Sequence, residues 1–158
     1  MANRESFQQG SIRQVNLDTE FRGEVGGPNI THASAATDAA SATFAAIGAN
    51  VWRAPQDLVI VSAWHEPTGA NQDAAAAASY RTFSLMNGST DGLGTKVLAS
   101  ANLTASQASN TTRALTLADG PIVPRGHVVY GQYSATVGGT HAGTVVRAGH
   151  FSWTWRPL

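Results

Sequence analysis

The chain has 158 residues, ten basic and ten acidic side chains, five histidines and no cysteine. That length suits one domain with its own core, and the missing cysteines exclude disulfides and thiolate metal sites. The charges cancel and the basic residues are scattered singly from Arg4 to Arg156, so no nucleic-acid partner is expected, because phosphate affinity needs concentrated positive charge.

Residues 1–41 read differently from the rest. Phe7, Ile12, Val15, Leu17, Phe21, Val25 and Ile30 stand nearly alone among polar neighbours, at spacings that fit neither helix nor strand for long. Gly23, Gly26, Gly27 and Pro28 then interrupt local structure. One reading is an extended N-terminal arm whose isolated apolar anchors, Phe7, Ile12, Val15, Leu17 and Phe21, gain order by lying along a partner. The other is a loose terminus with one edge strand near Gln14 to Phe21.

Residues 42–158 read as a single β-sandwich domain. Short strands separated by turn signals are expected at Thr43–Ile47, Asn50–Arg53, Asp57–Glu66, Tyr80–Met86, Thr95–Leu103, Asn110–Leu117 and His127–Val137, followed by a closing strand. Asp57–Glu66 is apolar on both faces in its first half, the mark of a central strand. In Thr95–Leu103 the alternation puts Val97, Ala99 and Ala101 on one face. The five alanines at 74–78 allow a single helical turn inside a loop. The glycine-rich GGTHAG turn suggests that His127–Val137 pairs with the closing strand as a long hairpin. About eight strands without a long helix imply an all-β, antiparallel sandwich.

The closing strand is the most informative stretch. Phe151, Trp153 and Trp155 recur at every second position, with His150, Ser152, Thr154 and Arg156 between them, which is the alternation of a strand with one buried face. Each ring can bury on the order of 150–250 Å². The three form either a core stripe or, in part, an adhesive face for another subunit or a sugar.

Few residues offer chemistry. The histidines at 32, 65, 127, 141 and 150 match no common zinc spacing. His65 and Glu66 are adjacent in a strand, so their side chains point to opposite faces and cannot grip one ion together. The acids are dispersed, with no GxSxG and no phosphate-cradling glycine loop. No metal, cofactor or enzymatic activity is expected. The Asn-x-Ser/Thr triplets at Asn29, Asn87, Asn102 and Asn110 follow from a chain rich in Ser and Thr.

Only 13% of residues are charged, against about 25% in an ordinary domain. Much of the surface must therefore be Ser, Thr, Asn, Gly and Ala, which suits packing against another protein. No stretch approaches the ~18 apolar residues of a membrane span, and the opening MANRESFQQG has no apolar signal core. The expectation is a protein made in the cytoplasm, without a membrane partner.

From Asp57 onward the segments DLVIVSAWHEP, a loop of Asn, Asp and Ala, SYRTFSLMNG, GLGTKVLASANL, ADGPIVPRGHVVYGQYS and the aromatic closing strand follow one another. In this order they resemble the tailed-bacteriophage capsid decoration, or cement, proteins, whose fold is a jelly-roll-like sandwich. The resemblance implies a homotrimer seated on the outer surface of the virion, clamping neighbouring major capsid protein subunits. Residues 1–41 fall outside it. A different class of function, a carbohydrate-binding or adhesin module on the virion, would use Trp52, Trp64, Trp153 or Trp155 to stack on a glycan, and an accessory domain of a β-sandwich enzyme is a third. The glycan reading requires an exposed flat ring platform. The cement reading requires buried rings, with contacts made by the arm and loops.

Overall fold

The computed structural model describes residues 24–32, 35–36, 44–46, 52–72, 81–135 and 145–158. The expected arm anchors Phe7, Ile12, Val15, Leu17 and Phe21, and the alanines at 74–78, lie outside these residues. Among the described residues the secondary structure is all β, in fourteen strands: β1 (Val25–Gly26), β2 (Ile30–His32), β3 (Ala35–Ala36), β4 (Phe44–Ala46), β5 (Trp52–Arg53), β6 (Leu58–Pro67), β7 (Arg81–Asn87), β8 (Lys96–Leu103), β9 (Arg113–Ala114), β10 (Thr116–Leu117), β11 (Ile122–Val123), β12 (Val128–Ala135), β13 (Val145–Val146) and β14 (Gly149–Pro157).

Two antiparallel sheets pack face to face as a β-sandwich. One runs β1-β14-β6-β11, with β2 also on β14 and β9 also on β6; the other runs β10-β8-β7-β12-β4, with β5 also on β12. A small pair, β3 with β13, stands apart. The interior of each sheet is built from long strands, β6, β7, β8, β12 and β14, of 7 to 10 residues. Their outer partners among the described residues are strands of two or three residues. The excess over about eight strands comes from β1, β2 and β11, from the separate β3–β13 pair and from the division of Asn110–Leu117 into β9 and β10, pieces that carry no alternation long enough to read.

The sandwich begins before residue 42. Val25 and Gly26 pair with Trp155 and Thr154, while Ile30 pairs with Phe151 and is buried in the core. The expected Asn110–Leu117 strand is divided: Arg113 and Ala114 join β6, whereas Thr116 and Leu117 join β8 in the other sheet. Leu115 sits buried at the crossing, its N–H donating to Ala63 O at 2.8 Å, so this short segment closes one side of the sandwich.

The expected hairpin between His127–Val137 and the closing strand does not form. β12 lies between β7 and β4/β5, β14 lies between β6 and β1/β2, and the two belong to opposite sheets. They meet across the core instead. The Phe151 ring lies so close over Gly131 that a Cβ there would come within 2.4 Å of it, so only glycine lets the facing sheet approach.

Two β-bulges redirect side chains. On β6, Thr154 pairs with Ser62 and Trp155 with Ile60, which leaves Val61 extra. Leu58 and Ile60 point inward before it; Ala63, His65 and Pro67 point inward after it. On β8, Leu85 pairs with Ala99 and Met86 with Val97, leaving Leu98 extra. Leu98 and Ala99 are both fully buried and Val97 is exposed, so Val97 does not share the inner face with Ala99 and Ala101.

Candidate functional site

The aromatic stripe lies inside the sandwich. Phe151 and Trp153 are fully buried and Trp155 is 9% exposed. Trp52, on the facing sheet, meets Trp153 and Trp155 across the core, each at a centroid distance of 5.9 Å. Deeper in, register partners from each sheet face each other. His65 and Phe151 come from one sheet and Phe83 and Tyr133 from the other. His65 stacks on Phe83 at 4.2 Å with planes 15° apart, and Tyr133 meets Phe83 edge-on at 4.9 Å. Buried rings such as Trp153 present no face to a sugar; Trp64, on the outer side of β6, is half-buried.

Burial pushes the Tyr133 phenol far above its ordinary pKa. The folded chain thus holds this proton more tightly than the unfolded chain. The stability it confers is complete below the unfolded value of about 10 and is lost as pH rises above it, by up to about 1.4 kcal/mol per pH unit. Urea titrations between about pH 9 and 11 should show a shallower loss for Tyr133→Phe than for the parent, and parallel losses would disprove this assignment.

The two ends of the sandwich are chemically unlike. At one, a latch of buried polar groups is centred on Gln107. Its Nε2 donates to the carbonyls of His65 at 2.9 Å and Thr111 at 2.8 Å, and its Oε1 lies 3.4 Å from His65 Nδ1. With both amide protons spent on carbonyls, Oε1 acts as the acceptor, which puts a proton on His65 Nδ1. The Gln107 backbone exchanges two hydrogen bonds with Gln72, whose Oε1 accepts from Arg147 N–H at 2.8 Å. Loops 67–72 and 104–111 and the start of β14 are thereby tied together. His65 was visible in the sequence only as a strand histidine; Gln72 and Gln107 carried no signal, because no periodicity marks a buried amide in a loop.

At the other end, the loop end, residues 53–57, 88–95 and 119–127 converge. Arg53 Nη1 donates to Thr90 O at 2.9 Å and Gly126 O at 2.7 Å. Asn87 Oδ1 accepts from Ser89 N–H and from His127 Nδ1 at 3.0 Å. Tyr130 Oη donates to Gly94 O at 2.9 Å, and Lys96 Nζ donates to Gly120 O at 3.0 Å. Gly92, Gly120 and Gly126 take positive φ in these turns.

The chain matches no protein-family model, and no curated protein or solved structure is similar to it.

Among the described residues no group of three His, Asp or Glu side chains is placed to hold a metal ion. No described helix is long and apolar enough to cross a membrane. The loop end is the candidate site, because fixed loops there present apolar side chains to solvent, with Leu93 77% and Leu158 66% exposed.

Proposed function

We propose that this chain is a structural virion protein that binds the outside of a tailed-phage capsid and stabilises it, as a homotrimer bridging major capsid protein subunits. The observation that carries this reading over a sugar-binding module is the burial of Phe151, Trp153 and Trp155 in the sandwich, which leaves contact-making to loops and to the leading segment. The segments that resemble decoration proteins form β6, β7, β8, β12 and β14, the rigid interior of both sheets. The low proportion of charged residues, 13%, favours association, since uncharged surface is cheaper to desolvate. Closed symmetry is the usual outcome when identical subunits associate. Three weak contacts on a shell of repeated subunits then reinforce one another through effective concentration. The role is structural rather than enzymatic, at the outer capsid surface, after synthesis in the host cytoplasm.

The test is co-sedimentation of the full chain with expanded, empty phage shells, together with the melting temperature of the shells and the mass of the free protein by light scattering. Binding, a raised shell melting temperature and a trimeric mass are expected. A monomeric mass at micromolar concentration with no shell binding would overturn the reading.

A further inference from the structure

The His65 imidazole is fully buried. It stacks on Phe83, is flanked by the rings of Phe151 at 5.1 Å and Tyr133 at 6.2 Å, and directs its Nδ1 proton to Gln107 Oε1. A neutral ring suits this place, with Nδ1–H engaged and its faces against aromatic carbon. An imidazolium does not, because a second ring proton puts a full charge where hydration is lost. The face of Phe83 attracts a cation, but by less than the hydration that burial removes.

The elements packed around the ring do not compensate that charge. Strands β6, β7, β9, β12 and β14 and loops 67–72 and 104–111 contain a single acidic residue, Glu66, which lies on the outer side of β6 with its register partner His150. The charged groups on the ring's own side are cationic. Arg113 is the register partner of His65 on β9 and donates from Nη1 to Asn102 O at 3.4 Å, while Arg81, 3% exposed, shares the inner face of β7 with Phe83. Arg147 joins the latch through its backbone N–H. Burial keeps the Tyr133 phenol protonated and neutral. Two guanidiniums nearby oppose a further cation, so neither a partner nor the local field favours a charged His65 in the closed structure.

From this arrangement we infer that the Gln107 latch is an acid-sensitive fastening, in which proton uptake by His65 is coupled to release of loop 104–111. With the latch closed the imidazole stays neutral; with the loop lifted it meets water and takes a proton at the ordinary value of about 6.5. Closure is therefore complete above that pH and is lost as pH falls below it, the opening constant rising by about tenfold per pH unit. No strand of either sheet has to part, since Gln107 holds β6 through its side chain and Gln72 through one isolated bridge. The inference does not depend on the capsid-binding reading.

Hydrogen exchange of the full chain tests it, read on the amides of residues 104–111 between about pH 6.5 and 5, above the ordinary carboxylate values, and corrected for the rate of unprotected peptide. The opening constant should rise at least about tenfold across that span. His65→Gln, which cannot titrate there, should flatten the rise, and His150→Gln, on the outer face, should leave it as in the parent. Imidazole NMR of the parent supplies a readout that needs no variant to fold: the His65 ring should keep its neutral, Nδ1-protonated form throughout. If His65→Gln does not accumulate, the parent's ring spectrum and exchange profile decide together. An imidazolium spectrum for His65 in the folded chain near pH 6.5 would overturn the inference, as would an opening constant that does not change with pH, or a rise that persists in His65→Gln.

Discussion

Truncating Trp153 to alanine should lower the unfolding free energy by about 3–5 kcal/mol, the range for removing a large buried aromatic side chain. Trp153 is 1% exposed, sits 5.9 Å from Trp52 of the facing sheet, and lies so close beneath Gly27 that a Cβ there would come within 2.2 Å of the indole. The ring therefore joins three elements: β14 that carries it, β5 across the core, and the segment between β1 and β2, whose Gly27 N–H donates to Trp153 O at 2.8 Å. Backbone that has closed over an indole cannot readily collapse into the space an alanine leaves, which keeps the penalty at the upper end. A domain of this size has only about 5–15 kcal/mol of net stability, so the variant should melt far below the parent or fail to accumulate. Phe151→Ala should cost somewhat less, and Trp155→Ala least, because Trp155 is near the strand end and 9% exposed. Melting curves of the three variants test the order. Parent-like stability of Trp153→Ala would show that the ring does not carry the core.

How much of this could be read from the sequence follows from what alternation encodes. Period two tells which face a residue occupies, and that sufficed for Phe151, Trp153 and Trp155 and for the extents of β6, β7 and β8 to within a residue or so. It does not tell which strand is the neighbour. Hence β12 and β14, the last two long strands of the chain, looked like a hairpin although they lie in opposite sheets with the Phe151 ring over Gly131 between them. Nor does alternation survive an inserted residue. Strict alternation from Leu58 and Ile60 would turn Trp64 inward and His65 outward; the bulge at Val61 exchanges them, burying an imidazole and leaving an indole on the outer side. The bulge at Leu98 likewise moved Val97 to the surface. The loop end was legible only as turn chemistry. The exposure of Leu93 and Leu158 depends on where the strands end, which is a property of the folded chain.

The His65 exchange makes the second large effect predictable. A buried imidazole needs a partner, and the bulge turns His65 toward Gln107, whose Nε2 also donates to the carbonyls of His65 and Thr111. Gln107→Leu keeps the bulk and removes the amide, leaving two carbonyls and one ring N–H without that partner. Each buried group stripped of its hydrogen bond costs about 1–3 kcal/mol, and partial relaxation of loop 104–111 toward water should hold the total to about 2–4 kcal/mol. The backbone exchange between Gln107 and Gln72 does not depend on the side chain, so the loop should stay attached at that point while Thr111 and its neighbours loosen. Two measurements check this: urea unfolding of Gln107→Leu against Thr104→Ala, an exposed neighbour expected to change stability by less than about 0.5 kcal/mol, and amide exchange across residues 104–111. Lower stability with faster exchange confined to that loop is the expected result. If Gln107→Leu unfolds with the parent, the amide is not what holds the latch, and the burial of His65 must be sustained by its ring contacts with Phe83, Phe151 and Tyr133.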